Sequence, residues 1–304
     1  MKLNKTFLGL ALAASSLSIY ACDSKDDLDI ASDEPIDETF AVQTEKMLIN
    51  VDTLYSDLES PWGMTWLPDG KMLLTERKGE ILIFENDKFT GQKVQGLPKV
   101  HEVNQAGLLD VQAHPNYAQN GWIYISYAKP KGGNKGATTI MRFKLEGNQA
   151  VQQEELIETT PEWEGGRHYG SRIVFDKDNY LFFSNGDRGD TPSNAQDLTN
   201  SHGKIHRIHD DGRIPSDNPF VNEPNAIKSI WTYGNRNPQG LVYDKANDRV
   251  WEAEHGPMGG DELNLIEKGK NYGWPVITYG QNYDGTPITD ITEKEGMEQP
   301  VTYY

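Results

Sequence analysis

One structural unit recurs four times along this 304-residue chain: a small residue, an apolar run, a polar turn and a second apolar run. The turns are rich in Asp, Asn, Pro and Gly and the flanking runs favour extended backbone, so each unit predicts a β-hairpin. The predicted hairpins occupy residues 63–75, 107–125, 170–183 and 241–253. Multi-strand units that return at intervals of roughly 45 to 70 residues are typical of an all-β β-propeller with insertions. A β-sandwich would not repeat one motif in this way.

The charge of the chain excludes one class of partner. The formal net charge is −17 and the isoelectric point is about 4.8. Binding to nucleic acid needs a basic face for the phosphates, so we expect no nucleic-acid partner. The acidity is concentrated between residues 23 and 38, a segment poor in aromatic residues, which is typical of a flexible tether rather than of a packed domain.

The first 22 residues predict export and a lipid anchor. Lys2 and Lys5 precede a short apolar stretch, which ends at a small residue before Cys22, the only cysteine in the sequence. This order resembles a bacterial lipoprotein signal, with Cys22 as the lipidated residue, although an ordinary secretory signal is the alternative. We therefore divide the chain into a signal peptide (1–21), an acidic tether (22–45) and a β-propeller domain (46–304). The location expected is the periplasm or cell surface of a Gram-negative-type bacterium.

Two clusters of polar residues flank the fourth hairpin. The first cluster contains Arg236 and Asn237, and the second contains His255, Gly256 and Pro257. The entry of the first strand and the exit of the second lie at the same end of a hairpin. We therefore expect the two clusters to meet in space, although about twenty residues separate them in the sequence.

The other hairpins carry polar residues at the same two positions. Gln105 precedes the second hairpin, and a Gly-rich segment that contains His168 precedes the third. Asp187 follows the third hairpin, within reach of His168. If the hairpins are blades of one propeller, all these residues gather on one face, near the axis.

Three motifs in a fixed order give the chain a resemblance to a known family. They are RNPQG (236–240), EHGPMGGDELN (254–264) and KGKNYGWP (268–275). In this order they resemble the soluble sugar dehydrogenases that use pyrroloquinoline quinone (PQQ), the aldose, glucose and sorbosone dehydrogenase family. The resemblance implies a six-bladed propeller. Because the family pattern continues beyond Tyr304, we expect this sequence to cover about four blades and to lack about the last third.

The resemblance implies a general base at His168, because that position matches the histidine of the family motif. Imidazole is suited to accepting a hydroxyl proton near neutral pH. A histidine bonded structurally in a Gly-rich loop is the alternative. Asp187 either orients that imidazole or is simply a turn residue before Gly189, and both interpretations stay open.

The family also implies the cofactor contacts. Arg236 and Asn237 match its PQQ anchors, with Arg236 beside the reactive quinone oxygen, and Gln105 would contribute to the pocket. The main-chain carbonyls of Gly256 and Pro257 would hold calcium, a hard ion that takes oxygen ligands. Further PQQ anchors come from later blades of the family, beyond this sequence.

These implications predict a PQQ- and calcium-dependent enzyme that oxidises aldoses at C1 to lactones. Electrons would pass to an acceptor such as a quinone or a cytochrome, and the membrane would be reached only through the lipid on Cys22. Two alternatives come from other classes. One is a calcium-dependent hydrolase such as a lactonase, which would need side-chain carboxylates around the ion. The other is a non-catalytic surface module on the same scaffold.

Overall fold

The computed structural model describes residues 40–304, so the predicted signal peptide, Cys22 and most of the predicted tether lie outside the described residues. Two compact units divide the chain after Thr53. In the first unit, the described residues form one antiparallel hairpin of β1 (Phe40–Gln43) and β2 (Leu48–Val51). The strand β1 therefore falls within the stretch that the sequence assigns to the tether. Among residues 40–304, none of the helices has the length and apolar character needed to cross a membrane.

The second unit, Leu54–Tyr304, consists of four antiparallel sheets, each of which we call a blade. Blade 1 contains β3 (Pro61–Trp66), β4 (Met72–Glu76), β5 (Glu80–Glu85) and β6 (Lys88–Lys93). Blade 2 contains β7 (Leu108–Ala113), β8 (Trp122–Pro130), β9 (Lys135–Glu146) and β10 (Gln149–Glu158), and β11 (Trp163–Glu164) also pairs with β9.

The remaining blades follow the same plan. Blade 3 contains β12 (Ile173–Phe175), β13 (Leu181–Asn185), β14 (Lys204–Ile208) and β15 (Ile230–Tyr233). Blade 4 contains β16 (Pro238–Asp244), β17 (Arg249–Glu254), β18 (Glu262–Ile266) and β19 (Thr302–Tyr303). A short α-helix, α1 (Tyr117–Asn120), lies between β7 and β8, and a 3-10 helix (Pro192–Gln196) lies between β13 and β14.

The strand order confirms the predicted all-β propeller architecture. In each blade consecutive strands pair as neighbours, and each of the four predicted hairpins forms the first two strands of its blade. The first strands β3, β7, β12 and β16 contact one another in sequence order. They therefore form the inner wall of an arc of four blades.

The core lies in the layers between neighbouring blades. Along β8, Ile123 and Ile125 pack in the cluster shared with blade 1, whereas Tyr124 packs with Phe175 in the cluster shared with blade 3. Successive side chains of a strand point to opposite faces, so an inner blade needs apolar residues at consecutive positions. The layer between blades 3 and 4 is built on Phe182 and its neighbours in the same way.

Polar contacts also join the blades. The carboxylate of Asp110 in β7 is fully buried and lies 3.0 Å from the Arg172 guanidinium, which precedes β12. Its other oxygen accepts the main-chain N–H of Ile173 at 2.8 Å. Between blades 3 and 4, the Ser184 hydroxyl donates to the carbonyl of Pro238 at 2.6 Å. These contacts fix the strand ends that carry the polar residues described next.

Candidate active site

The strand ends predicted to converge do so, around one cleft of about 540 Å³. The cleft opens where the first strands of the blades begin and the second strands end. It is lined by polar and aromatic residues from all four blades and from the segment after β18: Trp62, Arg77, Asn104, Gln105, His168, Arg236, Asn237, Gln239, His255, Gly256, Pro257, Asp261 and Tyr283. Of the residues singled out in the sequence, only Asp187 lies behind the cleft wall rather than on it.

His168 and Asp187 form a hydrogen-bonded pair. The imidazole Nδ1 lies 2.6 Å from the Asp187 Oδ1, and Asp187 is fully buried. Because an ionised carboxylate only accepts hydrogen bonds, Nδ1 carries the proton of this bond. Nε2 is then the ring nitrogen left to face the cleft, with a lone pair that can accept a proton.

The backbone around His168 is held in an unusual conformation. Its φ is +55°, in the left-handed region, and its main-chain N–H donates to the Gln105 Oε1 at 2.9 Å. Gly186 passes so close that an added Cβ would lie 2.2 Å from the His168 carbonyl oxygen. Gln105, expected to contribute to the pocket, therefore also anchors the loop of His168.

The Asp187 carboxylate has a second and a third donor that the motif analysis does not identify. Its Oδ1 also accepts the main-chain N–H of Gly189 at 2.8 Å, and its Oδ2 accepts the indole N–H of Trp274 at 2.7 Å. Three donor atoms thus define the position of this carboxylate. The structure contains both the contact with His168 and the turn contact with Gly189 that the two interpretations of Asp187 require.

The guanidinium of Arg236 points at the loop that follows β17. Its Nη1 donates to the carbonyls of His255 and Gly256 at 2.9 and 2.6 Å. The guanidinium carbon also lies 5.4 Å from the centre of the Trp274 ring. The expected meeting of the two polar clusters of the fourth hairpin is therefore confirmed.

Glu254, the last residue of β17, forms hydrogen bonds with the main chain of the first polar cluster. Its Oε2 accepts the main-chain N–H groups of Arg236 and Asn237, at 2.5 and 3.1 Å. Burial and the nearby Glu262 raise the pKa of Glu254 well above its usual value, although the two N–H bonds act in the opposite direction. Asn237 in turn accepts the N–H of Gly170 at 3.2 Å, which links blade 4 to the loop of His168.

The loop of Gly256 and Pro257 lines the cleft, and its Gly256 carbonyl accepts from the Arg236 guanidinium. The N–H of Gly256 donates to the Asp261 carboxylate at 2.8 Å, so Asp261 closes this loop as a turn residue. Within residues 40–304, no group of three or more His, Cys, Asp or Glu side chains is arranged to hold a metal ion. An ion at this loop would therefore depend on carbonyl ligands.

Several residues of the site are not identified by the sequence reasoning. Trp274 and Glu254 lie inside the quoted motifs, but nothing in their spacing indicates which atoms they contact. Trp62 and Arg77 come from blade 1, where no polar cluster marks them. The one usable signal is position: both lie at the entry of a first strand or the exit of a second, as the other site residues do.

Comparison with known proteins gives concordant matches. A family model described as Glucose / Sorbosone dehydrogenase matches residues 58–304. Aldose sugar dehydrogenase YliI of Escherichia coli is 40% identical over 84% of this chain and 70% of its own length. Quinoprotein glucose dehydrogenase B of Acinetobacter calcoaceticus is 33% identical over 74% of this chain, which spans about half (52%) of that relative. The PQQ-bound aldose sugar dehydrogenase of Streptomyces coelicolor matches with a TM-score of 0.68 and 30% identity, over 84% of this chain and 70% of that one.

Proposed function

This chain belongs to the glucose/sorbosone dehydrogenase family, and on that premise we propose that it oxidises aldose sugars at C1 to lactones with PQQ and calcium. The observation that carries the proposal is the pairing of His168 with the buried Asp187 beside a cleft that also receives Arg236 and the Gly256 carbonyl. This arrangement puts a proton acceptor, a cation and main-chain oxygens around one space.

The residues of the cleft fit the proposed cofactor and ion. PQQ carries three carboxylates and a quinone, and Arg236, Asn237 and Gln105 offer guanidinium and amide groups that suit such oxygens. The carbonyls of Gly256 and Pro257 would hold calcium, and that of Gly256 already accepts a cationic donor, the Arg236 guanidinium. When bound, PQQ would supply a hydride acceptor for the sugar and calcium would supply a Lewis acid.

The protein itself handles the proton. As the hydride leaves C1, the hydroxyl on C1 must lose its proton so that the carbonyl of the lactone can form. Nε2 of His168 would take that proton, and the imidazolium so formed would be stabilised by the Asp187 carboxylate through Nδ1–H. Arg236 would stabilise the negative charge that develops beside it during hydride transfer.

The hydrolase alternative has less support than the dehydrogenase. A calcium-dependent lactonase needs carboxylates that converge on the ion, and the side chains of the described cleft supply only Asp261, which is bonded to Gly256. A non-catalytic role would leave the close His168–Asp187 pair without a use. The export signal, the lipid on Cys22 and a quinone or cytochrome acceptor remain parts of the proposal.

Replacing His168 tests the proposed function. Protein loaded with PQQ and calcium should reduce a redox dye with aldoses, and His168→Asn should lower kcat/KM by about 10²- to 10⁴-fold, because the proton acceptor is lost. PQQ binding, followed by absorbance or fluorescence, should change little.

A matched variant completes this experiment. His209→Asn changes a histidine that packs against Tyr180 with the rings tilted by 46°, away from the cleft, and should keep wild-type turnover. Full activity in His168→Asn would contradict the proposal. So would binding of sugars by the wild type with no dye reduction for any aldose in the panel.

A further inference from the structure

We propose that Trp274 is a positioning residue that joins the proton-accepting half of the site to its cofactor-anchoring half. The inference rests on the proposed function, because it assigns the two halves their roles. Its basis is that one side chain contacts both Asp187 and Arg236, with different atoms for each. Trp274 itself lies 87 residues from Asp187 in the sequence.

The first contact completes the surroundings of the Asp187 carboxylate. Oδ1 accepts from His168 and Gly189, whereas the Trp274 indole N–H is the donor to Oδ2, at 2.7 Å. Asp187 is fully buried, so losing this donor would leave Oδ2 without a hydrogen bond and would cost free energy. Without the indole N–H, only the two donors to Oδ1 would fix the carboxylate. Its rotation about the bond to Cβ would be less restricted, and the imidazole that it holds would be oriented less precisely.

The second contact uses the ring rather than the N–H. The Arg236 guanidinium carbon lies 5.4 Å from the ring centre of Trp274, within the range of a cation–π interaction. Arg236 is only 7% exposed, so the electrostatic attraction is weakly screened by solvent. The ring therefore supports the guanidinium only if the indole stays in place.

Trp274 is itself rigidly held. It is buried, its main-chain N–H donates to the carbonyl of Gly234 at 2.9 Å, and its carbonyl accepts from the Gln196 side chain at 2.8 Å. Gln196 and Asn271 also exchange two hydrogen bonds through their amide groups, at 2.9 and 2.8 Å. The 3-10 helix of blade 3 and Gly234, which follows β15, thus hold the main chain of Trp274.

The two contacts can be separated by substitution. Trp274→Phe keeps an aromatic face for Arg236 but removes the N–H. We expect kcat to fall by about 10- to 100-fold, as for loss of one hydrogen bond to a buried charged group, while the PQQ dissociation constant stays within about threefold of the wild-type value. Trp274→Leu removes both contacts, so kcat should fall and PQQ binding should also weaken by about tenfold or more.

A spectroscopic measurement on cofactor-free protein separates this inference from the proposed function. The proton between His168 Nδ1 and Asp187 should give a far-downfield NMR signal, because the bond is only 2.6 Å long. Trp274→Phe should move or broaden that signal. If the signal moves but no variant and no wild-type protein oxidises a sugar, the proposed function fails and the positioning role stands.

A matched control and an isosteric variant guard against a purely structural effect. Trp231→Phe changes a tryptophan that contacts Arg207, outside the cleft, and should leave kcat and the NMR signal unchanged. Should Trp274→Phe fail to fold, 3-benzothienylalanine at position 274 keeps the shape and replaces only the N–H by sulfur. Wild-type kcat together with an unmoved signal in either N–H-free variant would overturn the inference.

Discussion

At the scale of single residues, the site depends on how closely the backbone can approach His168. The left-handed conformation of His168 and the absence of a side chain at Gly186 let the two segments pass within contact distance. A non-glycine residue in that conformation is uncommon and is often found where surrounding contacts enforce it. Here the Gln105 amide and the Asp187 carboxylate supply those contacts, one to the main chain and one to the ring.

Adding a single methyl group at Gly186 should therefore displace the base. In Gly186→Ala, the new Cβ would lie 2.2 Å from the His168 carbonyl oxygen, so one of the two segments must shift. A shift of about 1 Å at a catalytic group costs on the order of 10²-fold in rate. We expect kcat to fall by roughly that factor, measured by dye reduction with a saturating aldose.

A second glycine provides the comparison. Gly147 has a φ of +60° and nothing within 4 Å of an added Cβ. Gly147→Ala should cost about 1 kcal/mol of stability through backbone strain alone and should keep its activity. Equal kcat values for the two variants would show that the approach of Gly186 to His168 does not position the base.

At the scale of secondary-structure elements, blade 4 contains an unusual group of acids, of which two are buried and one is half-buried. Glu252 and Glu254 lie on β17 and Glu262 lies on β18, where the Asn264 amide donates to both Glu252 and Glu262 at 3.0 and 3.2 Å. Burial raises the pKa of Glu262 to about 7, and burial together with the neighbouring Glu254 raises the pKa of Glu252 well above its usual value. The packing of the cofactor-binding hairpin thus keeps these carboxyls protonated to a higher pH than in the unfolded chain.

This group predicts a stability that falls as the pH rises. Above about pH 4.5 the unfolded chain releases these protons whereas the folded protein retains them, so unfolding becomes more favourable until the folded carboxyls ionise. Glu252→Gln removes one such group. In the wild type the free energy of unfolding should drop between pH 5 and pH 8. In Glu252→Gln that drop should be smaller by about 1 to 3 kcal/mol, measured by urea denaturation.

The matched variant for this test is Glu146→Gln, at the exposed end of β9. It should leave the pH dependence as in the wild type. If both variants show the wild-type slope, Glu252 does not hold a proton in the folded protein.

At the scale of the whole molecule, four blades are joined through apolar layers and a few buried polar contacts. The layers account for most of the buried apolar residues, whereas the polar contacts determine where each strand begins relative to its neighbour. Asp110 shows this most directly, because its two oxygens bind a side chain and a main-chain N–H of the next blade. The arrangement of the cleft therefore also depends on contacts between residues that do not line it.

Asp110→Asn should loosen this connection between blades 2 and 3. The amide would present N–H hydrogens to Arg172 or Ile173, both of which donate, so one buried contact is lost. Since Arg172 is about a quarter exposed, we expect a loss of about 2 to 4 kcal/mol in the free energy of unfolding at pH 7, below the full cost of breaking a buried ion pair.

Asp248→Asn, which removes the exposed contact with Lys177 between blades 3 and 4, should cost less than about 1 kcal/mol. Equal losses would contradict a special role for Asp110.

The sequence by itself determined the hairpins, the blade order and the residues that gather at one end of the blades. Strand pairing within a hairpin is local, and it follows from turn residues and from side chains that alternate between two faces. For the same reason the meeting of Arg236 with Gly256 could be predicted, because both lie at the open end of one hairpin.

Only the tertiary structure decided which atoms meet across blades. The bond from Trp274 to Asp187 and the contact of Asp110 with Arg172 join residues whose distance depends on how the blades rotate and pack. A motif shows that such a residue is part of the pattern, but its spacing carries no information about the direction in which a side chain points in three dimensions. Long-range contacts are set by packing between sheets, which no local pattern of residues specifies.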